Sequence, residues 1–347
     1  MRDHFFFSCQ QNKVLVSNSI SACVMMIPHE AMNPCSGEIN MRICRVLVDN
    51  LAKLAFYDES GFATLENIAQ KAGKTADWTS HANLIDCLQN GKHHKETLEL
   101  FKAFETKTNL NQGKYLVPVP SPNKILLLAG NYAEHIKEGG GMAVERNETF
   151  PYVFMKPPTT TLNDPYKPVL IPSISPDAID WELELGVIIG AKCKSVKESD
   201  ALKYVAGYMI INDISNRKFR PTPGRKKRDR DTFFDWLHGK WFDTFCPMGP
   251  CALDASTLPD PQNLKLELKL NGETRQNSST SQMIFSVAAL IEFISSMVTL
   301  EPGDIISTGT PSGVGHTTGT FLKPGDQMTG FIEKIGTLTT TLAAEPK

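Results

Sequence analysis

The run Trp181-Glu182-Leu183-Glu184-Leu185-Gly186-Val187-Ile188-Ile189-Gly190 sets two carboxylates inside an otherwise apolar, β-branched stretch. Such a stretch favours a strand. Side chains on a strand alternate, so Glu182 and Glu184 share one side while Leu183, Leu185 and Val187 share the other. Two neighbouring carboxylates in apolar surroundings repel each other and resist ionisation unless a cation compensates them. A hard divalent ion meets that demand, since Mg²⁺, Mn²⁺ or Ca²⁺ takes oxygen ligands. Asp213, closing the apolar Ile210-Ile211-Asn212-Asp213, can supply a third carboxylate. Spacing alone also permits a plainer arrangement, in which the two glutamates form a solvated edge-strand face and Asp213 caps a turn.

The β signal recurs beyond Pro118, Pro120 and Pro122, where prolines begin to punctuate the chain. Residues 124–129, 152–155, 181–189, 204–211 and 264–270 all read as strands. Asn271-Gly272, after the alternating Leu264, Leu266, Leu268 and Leu270, predicts a two-residue hairpin because both residues tolerate positive φ. Residues 283–297, apolar nearly all round except Glu292, predict a helix packed on both sides. Ahead of the prolines, 43–48 and 54–57 predict strands. Leu84, Ile85 and Leu88, then Leu98, Phe101 and Phe104, mark one face each of two short helices. The expected class is α+β, mainly β. Residues 1–40, with neither period nor caps, are expected to form a poorly ordered leader, 41–118 a small α+β accessory domain and 119–347 the β-rich domain.

Composition narrows the function. The 347 residues suffice for about two domains. With 41% apolar and 21% charged residues the chain is neither fibrous nor wholly disordered. A net charge of -2 leaves no global field drawing it to nucleic acid or anionic lipid. The run Arg225-Lys226-Lys227-Arg228-Asp229-Arg230-Asp231 is one short loop with no groove-binding helix beside it, so a mobile solvated segment is expected and no nucleic-acid partner. The 8 cysteines form no CxxC pair, which fits reduced thiols in the cytoplasm. No apolar run approaches the about 18 residues of a spanning helix, and residues 1–10 lack the regions of a secretory peptide. No membrane partner is expected.

His135 and Glu138 lie three apart, which on a short helix puts them on one face, close enough for the carboxylate to orient the imidazole. A pair of exposed helix residues is the plain alternative. In chain order, Gly130-Asn131-Tyr132-Ala133-Glu134-His135-Ile136-Lys137-Glu138, Phe154-Met155-Lys156-Pro157, Glu182-Leu183-Glu184-Leu185, Asn212-Asp213-Ile214-Ser215 with Arg217, Lys240-Trp241-Phe242-Asp243-Thr244-Phe245 and Thr308-Gly309-Thr310-Pro311 resemble the motifs of the fumarylacetoacetate hydrolase family. The resemblance runs from about residue 124 to the C-terminus.

It implies a mixed β-roll or barrel around a divalent metal, Mg²⁺ or else Mn²⁺ or Ca²⁺, held by Glu182, Glu184 and Asp213. It also implies a homodimer acting on a small 2-oxo acid or its enol, in the manner of acylpyruvases, oxaloacetate tautomerases and 2-hydroxyhepta-2,4-diene-1,7-dioate isomerases. A 2-oxo acid offers two oxygens to one ion, which can then stabilise an enolate. Hydrolysis of a C–C bond, decarboxylation, hydration and isomerisation all draw on that support.

By the same resemblance His135, Glu138 and Lys240 are catalytic, with the first two on a lid hinged at Gly139-Gly140-Gly141. Arg217, Thr310 and Tyr132 are expected to bind substrate; the guanidinium fork suits a carboxylate. One stretch departs from the family, which has an acid after the arginine and a glutamine two positions later. Here the chain reads Arg217-Lys218-Phe219-Arg220. Facing the pocket, those cations would favour an additional anionic group on the substrate; facing solvent, they would change nothing. A catalytically silent 2-oxo acid binding protein of the same fold is the alternative function, and the presence of both His135 and Glu138 speaks for turnover.

Overall fold

The computed structural model describes residues 40–104, 110–144 and 146–346, so the expected leader, apart from Asn40, lies outside the described residues. Leu183–Ile189 forms the expected strand, one that is buried throughout. Val205–Asn212 pairs antiparallel on one side of it, with Leu183 opposite Asn212, and Ile305–Ser307 pairs antiparallel on the other. The strand is therefore interior, and the solvated edge-strand arrangement is excluded.

It belongs to an 11-stranded sheet. The path runs Gly61–Thr64, Leu51–Asp58, Arg42–Val48, Cys246–Asp254, Val205–Asn212, Leu183–Ile189, Ile305–Ser307, Ile125–Ala129, Tyr152–Met155. Lys114–Leu116 and Leu162–Asn163 pair off this path. The early strands join the later ones where Cys44 stands opposite Cys251. Cys246–Asp254 escapes sequence reading because Pro247, Gly249 and Pro250 look like turn residues, although the strand is wholly buried between two partners.

A second, 5-stranded sheet orders Glu273–Ser279, Lys265–Leu270, Gln327–Ile332, Gly336–Ala344 and Val169–Ile171. Its first hairpin turns at Asn271 and Gly272, both at positive φ as expected. Both sheets keep free ends instead of closing into a barrel. Alternation along Leu183–Ile189 separates two cores. Leu183, Leu185, Val187 and Ile189 enter one with Leu266, Leu268 and Met328. Ile188 enters the other with Met209, Ile211, Phe56 and Ile68, so Glu184 shares the face of Ile188. Phe101 and Phe104 cover that face at the N-terminal end, each ring 5.2 Å from Phe56.

The helix expected over 283–297 begins at Val287. Ser286 caps it by accepting from the Ala289 N–H, and the preceding residues are diverted to anchor the loop before the helix Ala133–Glu138. Ile284 N donates to Asn131 O at 2.8 Å and Phe285 N to Asn131 Oδ1 at 2.8 Å. Backbone demand there outweighs helical periodicity. The helix buries Leu290, Ile291 and Ile294, while Ser296 and Met297 at its end are exposed, so packing is not complete on every side.

Gly186 sits between Glu184 and Ile188, where a Cβ would lie 2.6 Å from Ile211 Cδ1 and 3.1 Å from Met209 Cγ. Gly186→Ala is expected to cost about 1–3 kcal/mol of stability by overpacking, measured as a lower urea midpoint at unchanged slope.

Candidate active site

Glu182 and Asp213 stand at paired strand ends. Asp213 N donates to Glu182 O at 2.8 Å, and Glu182 N donates to Asn212 Oδ1 at 2.9 Å. With Glu184 they form a buried cluster in which one carboxylate oxygen from each lies within 4.8 Å of the others. The three residues singled out in sequence as a ligand set are thus brought together.

Cations surround them. Lys240 Nζ donates to Asp213 Oδ2 at 2.6 Å, Ser215 Oγ at 2.9 Å and Glu182 Oε2 at 3.0 Å. Its ammonium also lies 5.0 Å from the centre of the Phe154 ring and 5.4 Å from that of Trp236. Burial alone would strip its proton, but Asp213 and Glu182 outweigh burial and hold Lys240 above the ordinary lysine range. Those surroundings favour a fixed positive charge over a group that gives up its proton. Arg217 Nε donates to Asp180 Oδ2 at 2.8 Å and Nη2 to Glu182 Oε1 at 2.5 Å. Desolvation of Glu182 is overcome by Lys240 and then Arg217, which hold its carboxyl well below the usual range.

Glu184 is held differently. Ser307 Oγ and Gly309 N donate to its Oε2 at 2.5 and 2.9 Å, whereas its buried Oε1 has no hydrogen-bond partner. Burial first, then the fields of Asp213 and Glu182, push its carboxyl well above the ordinary range.

Two residues that sequence reasoning did not single out complete the charge pattern. Lys156 is buried, and its Nζ donates to Ile214 O at 2.9 Å and Phe245 O at 2.5 Å while lying 2.5 Å from Asp213 Oδ1. Asp180 is fully buried beside Arg217. A lone lysine in the strand-like Phe154-Met155-Lys156 and an acid just before Trp181-Glu182 were the available signals. Asp180, Glu182, Glu184 and Asp213 now face Lys156, Lys240 and Arg217, leaving one acid in excess. That surplus, the all-oxygen donor set and the unpartnered Glu184 Oε1 fit a hard divalent cation.

The lid pair forms. On the helix Ala133–Glu138, His135 Nδ1 lies 2.8 Å from Glu138 Oε1. Glu138 Oε2 accepts from Gly313 N at 2.9 Å. Burial raises the Glu138 carboxyl, but His135 and the Gly313 N–H together bring it below the ordinary value. Tyr132 is buried at the root of this helix, with its hydroxyl unpartnered and its proton held by burial and by the field of Glu184. Thr310 is also buried, but its hydroxyl is engaged: it donates to Leu183 O at 2.9 Å and accepts from Gln276 Nε2 at 2.8 Å.

Lys218 and Arg220 are exposed. The first lies 5.4 Å from the Phe321 ring centre, and Arg220 Nε pairs with Asp235 Oδ2 at 3.4 Å. Neither side chain touches Glu182, Glu184 or Asp213, although Arg220 pairs with the buried Asp235. In the basic loop Arg225 is tied down, donating to Asp231 at 3.1 Å and to Asp235 at 2.6 Å at the start of the helix Asp231–His238, so the loop is less free than expected.

Comparison with known proteins agrees with the resemblance. Residues 124–343 match the model of the fumarylacetoacetate (FAA) hydrolase C-terminal family. The oxaloacetate tautomerase Fahd2a, mitochondrial, of Rattus norvegicus is 40% identical over 230 residues, 66% of this chain and 69% of that one. A probable 2-hydroxyhepta-2,4-diene-1,7-dioate isomerase from Mycobacterium abscessus superposes with a TM-score of 0.68 at 28% identity, over 89% of this chain and 100% of its own. A maleylpyruvate hydrolase from Sphingobium sp. SYK-6 does so with a TM-score of 0.66 at 28% identity, over 88% of this chain and 100% of its own.

An acid whose carboxyl is raised on folding binds its proton better folded than unfolded, so it withdraws stability as pH climbs above the ordinary value of 4.5. With divalent ions chelated, Glu184→Gln is expected to raise the melting temperature at pH 7 by about 2–4 °C and to leave it unchanged at pH 4. Scanning calorimetry at the two pH values checks this.

Proposed function

The chain belongs to the fumarylacetoacetate hydrolase family, and we propose that it is a divalent-metal-dependent enzyme that enolises a small 2-oxo acid, with oxaloacetate as the first substrate to test. One observation carries this reading: a buried, all-carboxylate cluster with an acid in excess is flanked by the Lys240 ammonium and a carboxylate-oriented imidazole. Glu182, Glu184 and Asp213 would hold the ion, with Mg²⁺ as first choice and Mn²⁺ or Ca²⁺ as alternatives. Bound there, it supplies a Lewis acid that draws charge from the keto and carboxylate oxygens of the substrate.

The protein's own groups divide the remaining work. Glu138 holds the proton of His135 on Nδ1, which leaves Nε2 as the base that takes a proton from the carbon next to the keto group and delivers it to the enolate oxygen, or carries it the opposite way in ketonisation. Lys240, kept protonated by its carboxylate neighbours, offers fixed positive charge to the developing enolate. Arg217 has two of its nitrogens committed to Asp180 and Glu182, so Nη1 is the group left to meet a substrate carboxylate. Thr310 would contribute its backbone N–H, since its hydroxyl is spent, and Tyr132 its unpartnered hydroxyl. Hydrolysis, the activity named for the Sphingobium structure, would have the same His135 activate water instead. A silent binder would have no use for the His135–Glu138 pair.

We place the protein in the cytoplasm. The described cysteines Cys44, Cys87, Cys193, Cys246 and Cys251 are buried free thiols, and no described helix is long and apolar enough to cross a membrane. A homodimer is proposed as well. Tyr152 and Met155 on the terminal sheet strand Tyr152–Met155 are exposed, and so are Phe150, Phe233, Phe234 and Trp241 around it. Trp241 Nε1 donates to Met155 O at 3.0 Å and joins the two groups. Half-exposed aromatic side chains of about 100 Å² each make such a strip comparable with the about 800 Å² per partner of a stable interface.

Four outcomes are expected. His135→Ala lowers turnover of oxaloacetate by about 10²–10⁴-fold while calorimetric Mg²⁺ affinity stays near that of the parent. Glu182→Ala or Asp213→Ala removes both binding and turnover; unchanged Mg²⁺ binding in both would refute the ligand set. A panel of oxaloacetate, acylpyruvates and 2-hydroxymuconate-type dienoates, with and without Mg²⁺, separates isomerisation from hydrolysis. Phe233→Glu is expected to shift the protein from two copies to one in sedimentation equilibrium.

A further inference from the structure

We propose that Asp180 is a positioning residue: acting through the turn 313–317, it fixes the lid helix that carries His135 relative to Arg217 and Glu182. The inference rests on reading those residues as parts of one site. Asp180 is fully buried, and its carboxylate accepts from four donors. Oδ1 takes the N–H of Gly315 at 2.7 Å and of Trp181 at 2.8 Å. Oδ2 takes Arg217 Nε at 2.8 Å and the N–H of His316 at 3.0 Å. A carboxylate has about four lone-pair sites, so nothing is left for substrate or metal. Its capacity is spent on holding other groups.

Glu138 grips the same turn at the residues on either side. Its Oε2 accepts from Gly313 N at 2.9 Å and Thr317 Oγ1 at 3.3 Å, while Oε1 faces His135 Nδ1. Trp181, next to Asp180, adds a third tie, since its Nε1 donates to Gly313 O at 3.1 Å. Two acids from distant parts of the chain therefore bracket one short turn, and charge-assisted hydrogen bonds are the strong ones.

The glycines make the grip possible. A Cβ on Gly315 would lie 2.8 Å from Asp180 Oδ1 and 2.0 Å from Thr320 O. Gly313 adopts φ +101 where its Cβ would meet Arg275 O at 2.0 Å. The result is one continuous path of hydrogen bonds from Glu182 through Arg217, Asp180, the turn and Glu138 to the ring of His135. Arg217 and the lid base are set by the same piece of backbone.

Hydrogen–deuterium exchange on the full-length protein tests this. Asp180→Asn keeps the volume and one carbonyl oxygen, and it is expected to speed exchange across 133–141 about tenfold while leaving 183–189 at parent rates. Glu138→Gln is expected to speed exchange of the Gly315 and His316 amides, which Glu138 does not touch. The double variant should go no further than the larger single effect. With oxaloacetate, Asp180→Asn should raise KM more than it lowers kcat.

Additive exchange effects, or a lid that exchanges at parent rates in Asp180→Asn, would overturn the proposal. If Asp180→Asn does not fold, Glu138→Gln decides alone: parent rates at Gly315 and His316 overturn it. Exchange needs no substrate, so a protein inert toward every 2-oxo acid would refute the functional reading and leave this test standing.

Discussion

A surplus of negative charge buried inside a sheet governs this molecule. Removing an ion from water costs several kcal/mol even after the surroundings relax, so each buried acid dictates where its partner must sit. Lys240 is placed by Asp213 and Glu182, Arg217 by Asp180 and Glu182, and Lys156 by Asp213 and two carbonyls. Glu184 alone makes no ion pair with these cations and carries the raised carboxyl. The site is built so that one further positive charge completes it.

The rest of the architecture keeps that cluster dry and in register. Interior strands supply the acids, one core packs behind Leu183, Leu185 and Val187, and the other covers the face of Ile188. Asn131 and Gln276 bind backbone at the places where loops cross. Asn131 fastens the root of the lid to Phe285 and Thr308, and Gln276 joins Leu183 to Thr310 and Pro311. Lys218 and Arg220, which depart from the family pattern expected in sequence, fall where water screens them. The buried chemistry of the family can persist while the rim drifts.

Local signals were legible where one physical cause dominated. The alternating apolar residues before Asn271-Gly272 gave a hairpin because side-chain period and turn chemistry agree, and the spacing of Glu182 and Glu184 put both on one side of a strand. The reading failed where a distant partner set the outcome. Residues 283–286 have helical composition, yet Asn131, far away in sequence, claims their backbone groups. Cys246–Asp254 has the composition of a turn and becomes a central strand because strands on both sides supply its hydrogen bonds. Lys156 and Asp180 look unremarkable in sequence, since a buried charge is recognised only by what surrounds it.

The order of residues determined by itself that this chain is mainly β, that Glu182 and Glu184 share one face of a strand, where they repel each other, and that His135 lies within reach of Glu138. Those properties rest on side-chain alternation, charge repulsion and helical spacing, all of short range along the chain. Tertiary structure alone decided that the glutamates are interior and joined by Asp213, that Thr310 spends its hydroxyl on Leu183 O and Gln276, and that Asp180 and Glu138 bind the same turn. These depend on contacts between residues far apart in sequence, and such contacts exist only once folding has brought the partners together.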